Sequence, residues 1–341
     1  MNKYDIPEQW HGQASTPIAP ADAYNGYIAA NVIFALDRLG LMERIGRGDR
    51  LYTEDYADNG RALALLRAAT CCGYLKADDD VYIPTEAGRE IARSRGYFTW
   101  AVGGYNEVFG NAGQLTDGLR HYDPSDIHRD EAMVALGSAQ CDQAMFAALL
   151  DEVLDDVDFG TIADLGSGNS ARVSRVVSQR PGTRGMGIDI SEPATLMARR
   201  DIASAGLQDR VQAVQADVLD VLDRQRQLEI TGEVDTVMSF FLLHDLLANP
   251  GTRADIMPRM REAFPNARRF VLGDTMLRDR IDHESMQPIF SVGFELAHAM
   301  MGVPLHTKAT YDRIFTDAGL RIARVEPFAT PHSWLYVLDV V

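Results

Sequence analysis

Several things are scarce in this chain of 341 residues, and each scarcity excludes something. There are three cysteines, Cys71, Cys72 and Cys141, two of them adjacent. They supply neither a disulfide framework nor a zinc-ligand spacing, which points to reduced thiols and a cytoplasmic protein. No apolar run is long enough to cross a bilayer, and the first residues lack the basic-then-apolar pattern of a secretory signal. Basic residues number 33 against 49 acidic ones, for a formal net charge of -16. A chain this acidic repels nucleic acid unless a basic patch compensates, and none stands out. Lysine is rare beside arginine, a compositional bias that says little about function. No internal repeat or low-complexity segment occurs. What is present is ordinary for a globular protein, 46% hydrophobic and 24% charged residues, in a chain long enough for two domains.

Residues 1 to about 20 read as an arm rich in Pro, Gln, Ser and Ala. From Ala21 to Ile45 apolar residues recur at helical spacing, and a second helix is predicted over Gly60 to Cys72. Residues 73–76 and 81–85, around the acidic turn Asp78-Asp79-Asp80, predict a hairpin. Helices followed by a hairpin make a winged-helix-like unit, but three aspartates at its tip favour a dimerisation lobe over DNA binding. Residues 98–158 read as largely helical, broken at Gly103-Gly104, around Gly110 to Gly113, and at a turn over Asp123-Pro124-Ser125. From Thr161 strands and helices alternate. Strands are predicted at 161–165, 185–190, 211–216, 234–240, 268–274, 320–326 and 333–340, and helices near 168–179, 192–205, 252–264, 284–301 and 308–318. The last two strands are joined by a link too short for a crossover helix, so they should pair antiparallel at one edge of the sheet. This gives three expected regions: 1–97, a helical winged-helix-like lobe; 98–158, a helical linker contributing to the substrate pocket; and 159–341, a Rossmann-like α/β domain.

The motif with most content is Ile162-Ala163-Asp164-Leu165-Gly166-Ser167-Gly168-Asn169, followed by Gly187-Ile188-Asp189-Ile190. A buried strand, a tight glycine turn, a helix and a second strand ending on a carboxylate are how an open α/β sheet grips a nucleoside. The dinucleotide fingerprint is incomplete, because Ala171 stands where its third glycine belongs. Asp189 ends the second strand, Asp217 follows the third, and Val234 to Phe240 forms the fourth. Any one such aspartate can be a helix cap; the series together resembles the class I S-adenosylmethionine-dependent methyltransferases. The resemblance implies a cofactor site built from Asp164, Gly166, Ser167, Gly168, Asp189 with Ile190, Asp217 with Val218, and Phe240. Asp189 takes the ribose and Asp217 the adenine.

Within that superfamily the lobe-then-sheet order is similar to the plant-type small-molecule O-methyltransferases, which dimerise through the lobe; a homodimer is implied. That group carries a His-Asp dipeptide after the fourth strand as general base, and Phe241-Leu242-Leu243-His244-Asp245 stands there. Their following Trp is absent; Leu246 and Leu247 replace it. A second histidine, His298, and Glu295 lie in the otherwise apolar helix predicted to run from Met286 to Met301, and buried polar groups need partners. Residues 263–270 and 293–303 resemble the bacterial α-keto acid C-methyltransferases, which β-methylate phenylpyruvate or branched-chain 2-oxo acids for nonribosomal peptide building blocks. That resemblance implies one divalent metal ion, iron or zinc, held by His244 and His298, with Asp245 as a weaker partner, directly or through water. It also implies a metal-chelated enolate that attacks the cofactor's methyl group, and Arg129 as a clamp on the substrate carboxylate. Phe241, Phe290, Phe294 and Met301 are candidate pocket walls. Two alternatives stay open: a metal-independent O-methyltransferase with His244 as base, and a non-enzymatic regulator.

Overall fold

The computed structural model describes residues 17–225, 231–279, 290–328, 330 and 332–341. The chain divides into two compact units between Ala144 and Met145. In the first, helices α1 (Pro20–Arg38), α2 (Leu41–Arg47), α3 (Asn59–Cys71) and α4 (Glu86–Arg93) accompany a three-stranded sheet. Its strands β1 (Leu51–Tyr52), β2 (Leu75–Asp78) and β3 (Val81–Pro84) run antiparallel in the order β1-β3-β2. The single helix expected over Ala21 to Ile45 is two helices, because the chain turns at Leu39 and Gly40. Ile33, Leu36, Leu41, Met42, Ile45, Leu51, Leu66 and Leu75 share one core. Thr85 closes the hairpin onto α4: its hydroxyl donates to Gly73 O at 2.6 Å and accepts from Gly88 N at 3.0 Å. Beyond a π-helical turn at Thr99–Gly104 and two short helices comes α5 (Glu131–Met145). Buried Asp37 of α1 ties this region together, accepting from Thr99 Oγ1 at 3.1 Å and Gln140 Nε2 at 3.0 Å and pairing with Arg95 at 3.0 Å.

The second unit opens with α6 (Ala147–Asp155) and then alternates: β4 (Thr161–Leu165), α7 (Ala171–Gln179), β5 (Arg184–Asp189), α8 (Glu192–Ser204), β6 (Val211–Gln215), α9 (Val218–Leu222) and β7 (Thr236–Phe240). There follow α10 (Leu243–Leu246), α11 (Ile256–Ala263), β8 (Arg269–Thr275), α12 (Phe290–Met300), α13 (Lys308–Asp317), β9 (Leu320–Pro327) and β10 (Ser333–Val340). Seven strands form one sheet in the order β6-β5-β4-β7-β8-β10-β9. The first five are parallel, and β10 runs antiparallel to both β8 and β9. The predicted antiparallel pairing of the last two strands is present; β10 is inserted beside β8, which leaves β9 alone at the edge. Helices on both faces make the strands apolar on both sides, as parallel sheets require. Ala163, Leu165, Met186, Ile188 and Val237 face one core, while Ile162, Met238, Val271, Leu335 and Val337 face the other with Val173, Val176 and Val177 of α7. The fold is thus the expected Rossmann-like α/β sheet with a helical N-terminal region. Of the helix expected over 284–301, residues 284–289 lie outside the described residues, as does the side chain of Phe290.

Candidate active site

After β4 the chain winds outward through β5 and β6, then returns to lay β7 on the other side of β4. That reversal opens a crevice at the carboxyl ends of β4 and β7, the place where such sheets bind ligands. The glycine turn lies there. Gly166 and Gly168 adopt φ values of +69° and +55°, which a side chain would strain. Gly166 N and Ser167 N both donate to Ile188 O, at 2.9 and 3.0 Å. Asp189 closes the turn from the next strand, with Oδ2 accepting from Gly168 N at 2.7 Å and Oδ1 from Ser191 N at 2.8 Å. Ser167 and Ser170 hydroxyls sit 3.1 Å apart against Gly187, where a Cβ would come within 2.2 Å of Ser170 Oγ. Ile190 is 64% exposed beside Asp189, an open apolar surface next to that carboxylate.

Asp217 is the N-cap of α9, accepting from Leu219 N at 2.8 Å, so the capping role open to any strand-end aspartate is realised here. The Val218 side chain is buried in the sheet core. Phe240 ends β7 almost fully buried, stacked on Phe146 at 4.9 Å and 15°. Asp164 has no exposure at all; Arg172 of α7 covers it, with Nη1 3.2 and 3.4 Å from the two carboxylate oxygens.

A second cluster forms just past β7. Phe241 turns the chain in the left-handed region, φ +55°, with its N–H on Gly273 O at 2.9 Å. Such a conformation is costly for an aromatic residue and marks a place where the fold over-determines the backbone. It leads directly into α10, which carries His244 and Asp245. His244 is 2% exposed and held twice by Asp274 at the end of β8: its backbone N–H donates to Oδ2 at 2.8 Å, and Nδ1 lies 2.9 Å from Oδ1. Asp274 also accepts from Thr275 N at 2.9 Å and Tyr311 Oη at 3.0 Å. Burial, and secondarily the Asp274 carboxylate, push the Tyr311 phenol well above its ordinary value, so Tyr311 stays a donor.

His298, 1% exposed on α12, meets His244 with ring centroids 4.5 Å apart and planes at 87°. Its Nδ1 is 2.6 Å from Phe294 O. Each Nδ1 faces an oxygen acceptor, which places the ring proton on Nδ1 and the lone pair on Nε2. One ligand atom from each of His244, Asp245 and His298 lies within 4.8 Å of the others, and His244 Nε2 is 3.7 Å from Asp245 Oδ2. Adjacent ligands of one ion stand about 3 Å apart, given metal–ligand bonds of about 2.1 Å. Two imidazoles and a carboxylate are a donor set suited to iron(II) or zinc. Phe241 and Phe294 flank the pair, with Phe294 centroids 5.1 Å from His244 and 4.0 Å from His298. Met301 follows α12, partly buried.

The structure therefore brings together His244, Asp245 and His298, and separately the glycine turn with Asp189. Arg129 belongs to the first unit, where Nη1 donates to Tyr105 Oη at 3.4 Å. Asp274, Tyr311 and Arg172 were not singled out from sequence. For Asp274 a signal existed: a carboxylate ending the apolar strand Phe270 to Gly273 must find a donor. Tyr311 and Arg172 sit in amphipathic helices where nothing local marks them.

No protein-family model matches the chain. Curated relatives match nearly its full length. Methyltransferase ungE' of Aspergillus campestris is 26% identical over 332 residues, covering 92% of this chain and 94% of the relative. Indolepyruvate C-methyltransferase of Streptomyces griseus is 28% identical over 339 residues, covering 94% and 95%. 2-Ketoarginine methyltransferase of Streptomyces arginensis is 25% identical over 314 residues, covering 87% and 86%. Among solved structures, PigF with SAH superposes with a TM-score of 0.67 at 20% identity, covering 95% of this chain and all of that one. The mitomycin 7-O-methyltransferase MmcR gives a TM-score of 0.65 at 16% identity, covering 94% and 96%; these likenesses speak to the fold. Among the described residues no single helix is long and apolar enough to cross a membrane. With the glycine turn, the sheet order and these full-length relatives in agreement, the chain is an S-adenosylmethionine-dependent methyltransferase of class I fold.

Proposed function

We propose that this methyltransferase transfers its methyl group to the β-carbon of a 2-oxo acid, with a divalent metal ion held by His244 and His298. The observation that carries the reading is the meeting of two buried histidines whose Nδ1 atoms are both turned to acceptors, beside the Asp245 carboxylate. A pure general base needs one histidine, whereas a second buried imidazole 4.5 Å away adds a further donor of the kind a metal site uses. The names of two relatives, an indolepyruvate C-methyltransferase and a 2-ketoarginine methyltransferase, support the same acceptor class. Role in making nonribosomal peptide building blocks, and a homodimer formed through the first unit, belong to the same reading.

A metal ion at this site supplies Lewis acidity toward the keto oxygen, which acidifies the β C–H bonds. The protein's part follows from the geometry. Asp274 fixes the His244 ring through Nδ1 and the backbone, and the Phe294 carbonyl fixes His298. Asp245, about one-third exposed, is placed to accept a proton or hold a water at the mouth of the pair. Phe241 and Phe294 keep bulk water from the reacting carbon. The cofactor's sulfonium methyl is presented from the crevice between β4 and β7, where positioning supplies most of the acceleration.

The second reading is metal-independent O-methylation with His244 as base. The His244–Asp274 pair favours it, because a carboxylate on Nδ1 orients and strengthens an Nε2 base. O-Demethylpuromycin-O-methyltransferase of Streptomyces alboniger, 26% identical over 193 residues, stands on that side. Elemental analysis of the purified protein, with activity before and after chelation, separates the two. Carbon methylation predicts near-stoichiometric iron or zinc and loss of activity on chelation; O-methylation predicts neither. A His298→Ala variant with full turnover would overturn the metal reading.

A further inference from the structure

The ion pair beneath the glycine turn has a function the motif alone does not show. Asp164 is the motif's first acid, yet its side chain is fully buried, on the sheet face toward α7. No ligand group reaches it while Arg172 stands over both of its oxygens, at 3.2 and 3.4 Å. The guanidinium is fixed from another side as well. Its central carbon lies 4.3 Å from the Phe240 ring centre and 5.4 Å from that of Phe146, a stacked cation–π arrangement. A carboxylate and two rings hold this cation where the side chain is still 12% exposed.

Its place in the crevice decides what it meets. Asp189 and Asp217, the acids expected at ribose and adenine, lie on the β5 and β6 side. Asp164 and Phe240 end β4 and β7, on the opposite side of the switch point. A cofactor with its ribose at Asp189 therefore directs its amino-acid end toward Arg172. That end carries a carboxylate, and a preorganised guanidinium fork is the side chain best matched to it.

We propose that Arg172 binds the carboxylate of the cofactor's methionyl group, with Asp164 as the positioning residue that holds the guanidinium. This rests on the methyltransferase assignment and not on the acceptor or the metal, so its failure and theirs are distinguishable.

The test compares affinities of the full chain for S-adenosylmethionine and for decarboxylated S-adenosylmethionine, which keeps the amine and lacks the carboxylate, by titration calorimetry. The wild-type protein is expected to prefer the carboxylated cofactor by roughly ten- to a hundredfold, the range of a charge-assisted pair. In Arg172→Gln that ratio should fall to about threefold or less, with the decarboxylated cofactor bound as before. Because Arg172→Gln leaves a buried carboxylate uncompensated, Asp164→Asn/Arg172→Gln, which removes both charges, serves as the second variant and should show the same collapse. Equal affinity of the wild-type protein for the two cofactors overturns the proposal without any variant. So does a folded variant of either kind that keeps the wild-type ratio.

Discussion

Replacing Asp274 by Asn keeps the shape of the residue at the centre of the histidine cluster and reverses half of its hydrogen bonding. The carboxylate accepts four bonds: Oδ1 from His244 Nδ1 and Thr275 N, Oδ2 from His244 N and Tyr311 Oη. An amide presents one acceptor and one donor. With its NH2 at the Oδ2 position it faces the His244 backbone N–H. With its NH2 at the Oδ1 position it faces Thr275 N–H and drives His244 into the tautomer with its proton on Nε2, the atom a metal needs. Either way one buried N–H is left unsatisfied, at about 1–3 kcal/mol, and a charge-assisted bond is lost, at about 1.5–3 kcal/mol. The sum, about 2.5–6 kcal/mol, should lower the melting temperature of this unit by roughly 10 °C. Metal affinity should fall roughly ten- to a hundredfold, the usual effect of removing a carboxylate behind a ligating histidine. Tyr311→Phe removes one bond and leaves the carboxylate, so about 1 kcal/mol and a smaller loss of metal are expected. The assay is metal content after dialysis against a graded chelator, alongside thermal unfolding. An Asp274→Asn protein that retains metal as the wild type does would refute the reasoning about His244.

Three further outcomes follow from other parts of the molecule. Asp189→Ala should weaken S-adenosylhomocysteine binding by tenfold or more, on the order of one lost charge-assisted contact, in calorimetry; unchanged affinity would remove Asp189 from the cofactor site. Gly187→Ala puts a methyl group 2.2 Å from Ser170 Oγ and 2.6 Å from Ser167 Oγ and should cost about 1–3 kcal/mol by overpacking, measured by urea unfolding, with partial recovery only when Ser167 and Ser170 are both changed to Ala. Burial, with Asp142 nearby, pushes the Cys141 thiol up to about 12. Above the ordinary thiol value the unfolded chain loses this proton while the folded chain keeps it, so stability should decline from about pH 9 upward. Cys141→Ala should flatten that alkaline limb, and in the native protein a thiol reagent at pH 8 should label exposed Cys71 and spare Cys141.

Much of the second unit was legible because its strands are short apolar runs with polar or glycine stops. Thr161–Leu165 and Ser333–Val340 fall where the pattern puts them. The short link between the last two strands dictated their antiparallel pairing, but nothing local said that β10 would enter between β8 and β9. In the first unit, helical periodicity runs unbroken through Leu39 and Gly40, so two helices read as one. The two residues of β1 are too few to carry an alternating pattern. At the site, His298 was detectable because a polar residue in an apolar helix is conspicuous. Its distance from His244 was not, since a gap of 54 positions is closed by tertiary packing alone. Arg172 was invisible for a similar reason: an arginine in an amphipathic helix reads as a solvated one until its partner strand is in place.

The central claim is that two histidines serve carbon methylation through one metal ion. It is tested most directly by supplying the purified enzyme with trideuteromethyl S-adenosylmethionine and a panel of β-deuterated 2-oxo acids, and reading the product by mass and NMR. The account predicts a CD3 group on the β-carbon, loss of one β-deuteron, and abolition of both by chelation or by His298→Ala. A CD3 group on oxygen, or transfer that survives chelation with His298 replaced, would contradict it.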